Sequence, residues 1–294
     1  MRNNHKHLRF ILQLGGLLLL LSACKKEVTA VLSDNQQSIA LNFYAASDVL
    51  KTVGKGIVPI FIDKYEPGRI INGYNAAYPF FDYNIQAPSL DYPAIYGTNA
   101  PIYFARFTDS AHRYMFTDTA KAIVADTTIT FPANSYQCFY LADAATADNA
   151  PAQYLVRAVE EPRAVPEGKV GVRFIHLSAD AGDLTCKLQK ADGSLENGLP
   201  AALKFGEASN YQYYDSSNVA ANNLLRFSLT NAFTGATLPT GIAFHPGRNY
   251  IVVITGFLKD QRRQIATGKN PDGSVQYVPL TIGKNLRAEI RTSY

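Results

Sequence analysis

The sequence predicts an all-β protein built as two tandem antiparallel β-sandwich domains, and three observations carry that expectation. Tyr (18) and Phe (16) are abundant while Met (2) is scarce, and flat or β-branched side chains suit a pleated surface better than a helix. Short apolar runs alternate with polar residues and are punctuated by Gly, Asp, Asn and Pro, with no sustained helical period. A pair of short motifs also occurs twice in the same order. With 47% hydrophobic residues in a chain of 294, two cores of ordinary size can be filled.

At the N-terminus Arg2, Lys6 and Arg9 precede an apolar run over residues 10–21. That run is too short to span a bilayer, which takes roughly 20 residues. It closes in Leu21-Ser22-Ala23-Cys24, which resembles the lipobox of bacterial lipoprotein precursors. The resemblance implies that residues 1–23 are a signal peptide and that Cys24 becomes the lipidated first residue, holding the chain to a membrane. The net charge of +4 includes three bases of the leader; without them 25 bases face 24 acids. Such a balance gives no pull on phosphate backbones, so nucleic acid is excluded as a partner. Residues 24–37 open with Lys25-Lys26-Glu27 and stay polar, as a flexible tether does. A charged run directly after the cysteine resembles Bacteroidetes lipoproteins, which implies the outer membrane, at its periplasmic face or at the cell surface.

The repeat sets the domain limits. Residues 41–47 (LNFYAAS) and 172–178 (VRFIHLS) match Phe43 with Phe174 and Ser47 with Ser178. Residues 132–136 (PANSY) and 246–250 (PGRNY) begin 85 and 68 residues after those serines, so the first copy carries about 17 extra residues. The expected domains are 38–160 and 169–294. The linker, 161–168, is charged and proline-bearing, and proline removes a backbone donor and disfavours helix before it.

Residues 57–62 read as a strand whose Pro59 suits a sheet edge. Residues 122–131 alternate as a half-exposed strand. In residues 183–189, Leu184, Cys186 and Leu188 share the apolar face, and Leu225, Phe227 and Leu229 oppose Arg226 and Ser228. Ala191-Asp192-Gly193 and Pro271-Asp272-Gly273 are hairpin turns. One cysteine per half, Cys138 and Cys186, makes no disulfide framework, and both read as small buried hydrophobes. Aligning the two copies by their tyrosines sets Cys138 opposite Val252.

Residues 170–180 (VGVRFIHLSAD), 203–211 (LKFGEASNY) and 246–256 (PGRNYIVVITG) resemble the domain-of-unknown-function family numbered 4397, found in exported bacterial proteins. The shared steps are Gly-x-x-Ser-x-Tyr and Pro-Gly-x-x-Tyr leading into a strand. The second copy matches over most of its length; the first departs, with Ala133 in the place of the glycine and a long aromatic insertion. The resemblance implies immunoglobulin-like sandwiches and brings no catalytic residues.

Motifs that carry chemistry are absent from the sequence. His112, His176 and His245 lack the i, i+4 partner and glutamate of a zinc-protease helix, and no nucleophile elbow, P-loop or dinucleotide fingerprint occurs. The expectation is a non-enzyme with no catalytic residue, no cofactor and no metal. Asp192, Ser194, Glu196 and Asn197 offer oxygens but lack the spacing of a calcium loop, and a hairpin explains them.

The insertion is the distinctive feature: Tyr74, Tyr78, Phe80, Phe81, Tyr83, Tyr92, Tyr96, Tyr103 and Phe104 lie among Asn, Asp and Pro. Of these, Tyr78, Phe80, Phe81, Tyr83, Tyr92 and Tyr96 form the candidate binding patch. Such rings stack on sugar faces or bury against a protein when exposed, and make a small core of their own when folded inward. The expected class is a membrane-anchored, non-catalytic interaction module of the cell envelope with a glycan or protein ligand. The competing classes are a structural or adhesive subunit of fimbrillin type, assembling by strand addition, and a carbohydrate-binding accessory protein. The lack of Trp counts against the last.

Overall fold

Leu224–Asn231 alternates half-buried and buried residues along its whole length, the signature of a strand with one wet and one dry face. The computed structural model describes residues 38–53, 59–65, 70–71, 74–75, 81–82, 100–102, 104–108, 111–118, 122–220 and 222–293. The first half contains β1 (Ser38–Ala45), the short helix α1 (Asp48–Val53), β2 (Pro59–Ile62), β3 (Ile70–Ile71), β4 (Tyr74–Asn75) and β5 (Phe81–Asp82). It continues with β6 (Ala100–Pro101), β7 (Ala105–Thr108), β8 (His112–Thr117), β9 (Ile123–Ile129), β10 (Tyr136–Asp143), β11 (Ala150–Pro151) and β12 (Tyr154–Glu160). The second half contains β13 (Val170–His176), β14 (Leu184–Gln189), β15 (Leu195–Asn197), β16 (Gln212–Tyr214), β17 (Leu224–Asn231) and β18 (Thr237–Ala243). It closes with β19 (Asn249–Thr255), β20 (Gln261–Lys269), β21 (Val275–Ile282) and β22 (Arg287–Thr292).

The protein is an all-β sandwich fold, as the alternation predicts. In the first half the sheet β12-β10-β1-β7 faces the sheet β5-β2-β8-β9; in the second, β16-β13-β19-β22 faces β15-β14-β17-β18. Taken in chain order, β1, β2, β5, β7, β8, β9, β10 and β12 occupy the same sheet positions as β13, β14, β15, β16, β17, β18, β19 and β22. One pair in each half departs from the antiparallel expectation, because β1 runs parallel to β10 and β13 parallel to β19. Parallel neighbours need a long crossover, and here the crossover is the facing sheet itself. Pro59 differs from expectation too. Its strand β2 lies between β5 and β8, and proline is tolerated there because it is the first residue of the strand.

Backbone bonds fix how the halves correspond. Asn134 N donates to Ser38 O at 2.7 Å and Gly247 N to Lys169 O at 2.8 Å; Ala40 N donates to Ser135 O and Gly171 N to Arg248 O, both at 2.9 Å. Asn134 (φ 60°) therefore stands where the second half has Gly247 (φ 85°), and Cys138 corresponds to Ile251 rather than Val252. Aligning PANSY with PGRNY is one residue out, and a one-residue slip turns every side chain to the other face. Tyr250 is accordingly buried in its own core, while Tyr136 is only half-buried.

Two cores fill the sandwiches. Phe43, Tyr114, Phe116 and Phe139 centre the first, with Tyr114 and Phe139 ring centroids 4.5 Å apart. Phe174, Leu188, Phe227, Val252 and Ile254 centre the second. A third cluster joins the halves: Tyr44, Cys138, Tyr140 and Ala142 pack with Ile175, Leu177, Ile251 and Val253. Strands β1, β13 and β19 are consequently buried at every residue, as strands covered on both faces are. Residues Gln37–Tyr294 form one compact unit.

Candidate functional site

The residues picked from sequence fall mostly outside the described set. Cys24, Tyr78, Phe80, Tyr83, Tyr92 and Tyr96 lie outside it. Phe81 is placed by its backbone alone, in β5, where it pairs with Ile60 of β2. The end of the insertion is described, and it crosses to the other half. Ala100 and Pro101 pair with Arg291 and Thr292 of β22, and Ile102 N donates to Thr292 O at 2.9 Å. A segment of the first half thus lengthens a sheet of the second.

At that crossing a cavity of about 250 Å³ opens, lined by Ile102, Phe104, Arg106, Tyr136, Arg163 and Ser293, with Ala40 beneath. Five separate stretches build it: β1, the end of the insertion running into β7, the start of β10, the linker, and the residue after β22. The Arg163 guanidinium lies over the Tyr136 ring, 4.5 Å from its centroid, and Phe104 meets that ring edge-on at 5.2 Å. Arg106 Nη1 donates to Ser38 Oγ at 3.0 Å. Both arginines are exposed.

One acid in contact with the lining is already engaged. Glu161 is 1% exposed, forms an ion pair with Arg173 at 2.9 Å and accepts a hydrogen bond from Tyr211 Oη at 2.7 Å. Burial pushes its carboxyl up, against the opposing pull of Arg173 and Tyr211. Ser293 Oγ donates to the same carboxylate at 3.3 Å. Glu161 is thus matched by Arg173 within the fold. The linker is pinned there: Glu161 N donates to Tyr136 O at 2.8 Å and Asn249 Nδ2 to Pro162 O at 3.0 Å.

The other candidates of the sequence have local duties. His176 is buried, with Nε2 2.7 Å from Gly182 O and Nδ1 accepting from Ser178 N at 3.3 Å; burial pushes its pKa down. His112 bridges Asp63 Oδ2 (2.7 Å) and Thr108 O (3.1 Å), and His245 is exposed in the turn before β19. Cys138 and Cys186 are free and buried, and burial pushes the Cys186 thiol up to about 12, far from a reactive thiolate. Asp192 Oδ1 accepts from Ser194 N (2.9 Å) and Ser194 Oγ (2.6 Å), the bonding of a hairpin turn.

Sequence reasoning missed Arg106, Arg163, Tyr136 and Ser293, because nothing in their spacing says that they meet. The one available signal was Phe104, at the C-terminal end of the aromatic run. No family model matches the chain, and no curated protein matches it.

Proposed function

We propose that this chain is a lipid-anchored lipoprotein of the cell envelope that works as a non-catalytic binding module. On this reading its halves are two copies of one immunoglobulin-like domain of the family type numbered 4397, and Cys24 ties it to the outer membrane. The leader, the lipobox-like Leu21-Ser22-Ala23-Cys24 and the polar tether support the location. The cavity between the halves is the observation that carries the binding role. Two guanidiniums and two aromatic rings converge there from three segments, on a scaffold of strands fixed by three cores. The candidate aromatic residues Tyr78, Phe80, Phe81, Tyr83, Tyr92 and Tyr96 belong by sequence to the same insertion whose end lines this cavity. The ligand is a glycan or a protein of the envelope.

Residues 25–294, produced without the leader and lipid, provide the test on arrays of glycans and envelope proteins. Selective retention of one ligand class is expected. Uniform failure to retain any would overturn the binding role. Globomycin-sensitive processing and mass-spectrometric detection of acylated Cys24 test the anchor, and an unmodified cysteine would remove it.

A further inference from the structure

We propose that the outer face of the sheet β15-β14-β17-β18 in the second half is a binding site for a small apolar monocarboxylate, seated over Arg226. The site goes beyond the binding role of the cavity between the halves and shares no lining residue with it.

Strand register assembles the site. Leu195 pairs with Gln189, Gln189 with Arg226 and Arg226 with Gly241, so one cross-strand row runs over all four strands. Paired residues share a face of the sheet, and because Leu225, Phe227 and Leu229 fill the core, this row faces outward. Gly241 adds no side chain to it. A groove of about 430 Å³ lies over the row, walled by Leu195, Leu224 and Pro239. In the first half the matching outer face is covered by the chain itself. Phe61 of β2 and Met115 of β8 are 1% and 0% exposed, and Tyr65 meets the Phe61 ring edge-on at 5.0 Å. In the second half that face stays open, with Leu195 62% exposed.

Charge and lining name the class of ligand. Arg226 Nε is shut off from water with no hydrogen-bond partner, and among the described residues no hydrogen bond or ion pair engages the rest of the guanidinium. A cation partly withdrawn from water and left unpaired is costly, and an anionic acceptor offsets that cost. Among the described residues no acid lines the groove. Glu196, beside Leu195 in sequence, is paired with Lys190 at 2.6 Å, and Lys187 Nζ donates to Asn197 Oδ1 at 2.6 Å. The charge left for a ligand is therefore that of Arg226, whose guanidinium matches a planar carboxylate with two parallel bonds. The apolar walls take a hydrocarbon frame rather than a sugar. The volume falls within the roughly 300–1,000 Å³ that encloses most of a small molecule.

Binding of 3-phenylpropanoate and of octanoate to residues 25–294 would be followed by calorimetry and by NMR shifts at low salt. Their amides serve as neutral controls, and acetate as a carboxylate without a frame. At least one of the two acids is expected to bind about tenfold or more tightly than its amide and than acetate, the preferred one telling a flat frame from an extended one. Arg226→Gln should weaken that binding by about tenfold or more. Arg226→Lys, which keeps the charge and loses the fork, should recover only part. Gly241→Val should fill the groove and weaken binding with little change in melting temperature. A Cβ at 241 meets Leu224 Cδ1 at an ordinary 3.6 Å, and valine suits a strand. Equal binding of acid and amide, acetate as tight as the longer acids, or full-strength binding by Arg226→Gln would overturn the assignment. So would failure of both acids to bind at millimolar concentration.

Discussion

Asp143 is 5% exposed, yet its carboxylate accepts bonds from Ser47 Oγ, Asp48 N (2.8 Å) and Val49 N (3.3 Å). Burial outweighs those bonds and pushes its pKa up from 3.8 to about 6. A carboxyl with a raised folded pKa binds its proton more tightly in the native state. Its contribution to stability is therefore complete below about pH 4 and is lost as pH rises through 6. The shift corresponds to about 3 kcal/mol. Glu289, raised by burial from 4.5 to about 7, acts in the same sense, whereas His176, lowered by burial, acts in the opposite one. Urea unfolding at pH 4.5 and 7.5 isolates Asp143 by comparing wild type with Asp143→Asn: the variant should lose the share of the pH-dependent difference that Asp143 contributes and keep that of Glu289. At Asn134 the left-handed backbone is the issue. Asn134→Gly should be near neutral and Asn134→Ala should cost about 1 kcal/mol, read from urea midpoints. Gly256 is stricter still. Its φ is +84°, and a Cβ there would lie 2.4 Å from Asn285 O. Gly256→Ala should therefore cost about 3 kcal/mol or more and lower the melting temperature.

Among the elements, α1 has six residues, too few to be stable alone, so its neighbours hold it. Ser47 Oγ caps it by accepting from Leu50 N at 3.0 Å. Arg287 clasps Asp48 through Nη1 (2.9 Å) and Nη2 (2.8 Å), Asn285 Nδ2 adds 2.7 Å, and Thr255 Oγ1 donates to Ala46 O at 2.8 Å. These bonds come from the second half, so α1 reports on the junction. Arg287→Met should destabilise the protein by roughly 1–3 kcal/mol and speed amide exchange over residues 48–53; unchanged exchange would show that α1 is held by its cap alone. The β20–β21 hairpin is the opposite case. Its base packs through Phe257, Ile265 and Ile282 against Val49, while Val275, Tyr277 and Val278 toward its tip are exposed. Within the second half, limited trypsin digestion should nick first after Lys269 and leave the melting curve of the remainder nearly unchanged. Early cleavage inside β13 or β19 would contradict this ordering of stability.

For the whole molecule the decisive feature is the third core. Ile175, Ile251 and Val253 of the second half are buried against Tyr44, Cys138 and Tyr140 of the first, and the linker is bonded at Glu161 and Pro162. Residues 169–294 produced alone would expose that apolar face. They should aggregate or bind a hydrophobic dye, while the intact chain should unfold in one transition by both fluorescence and circular dichroism. A soluble second half with its own sharp melt, or two separated transitions in the intact chain, would show that the sandwiches are energetically independent.

The sequence by itself determined the fold class and most of the strands of the second half. Alternation of apolar and polar residues is a local property, and it fixes which face of a strand turns inward wherever one face stays wet, as in Leu224–Asn231. The turns at Asp192 and Asp272 were equally legible, since Asx and glycine chemistry acts within a few residues. Where both faces are buried the alternation disappears, so β1, β10, β13 and β19 gave no local sign of register. The tyrosine motifs then matched one residue out of place. Tertiary structure alone decided the parallel pairings, the joining of the halves and the meeting of Arg106, Arg163, Tyr136 and Ser293. Each depends on segments far apart in the chain, whose approach is set by burying apolar area rather than by any preference written in neighbouring residues.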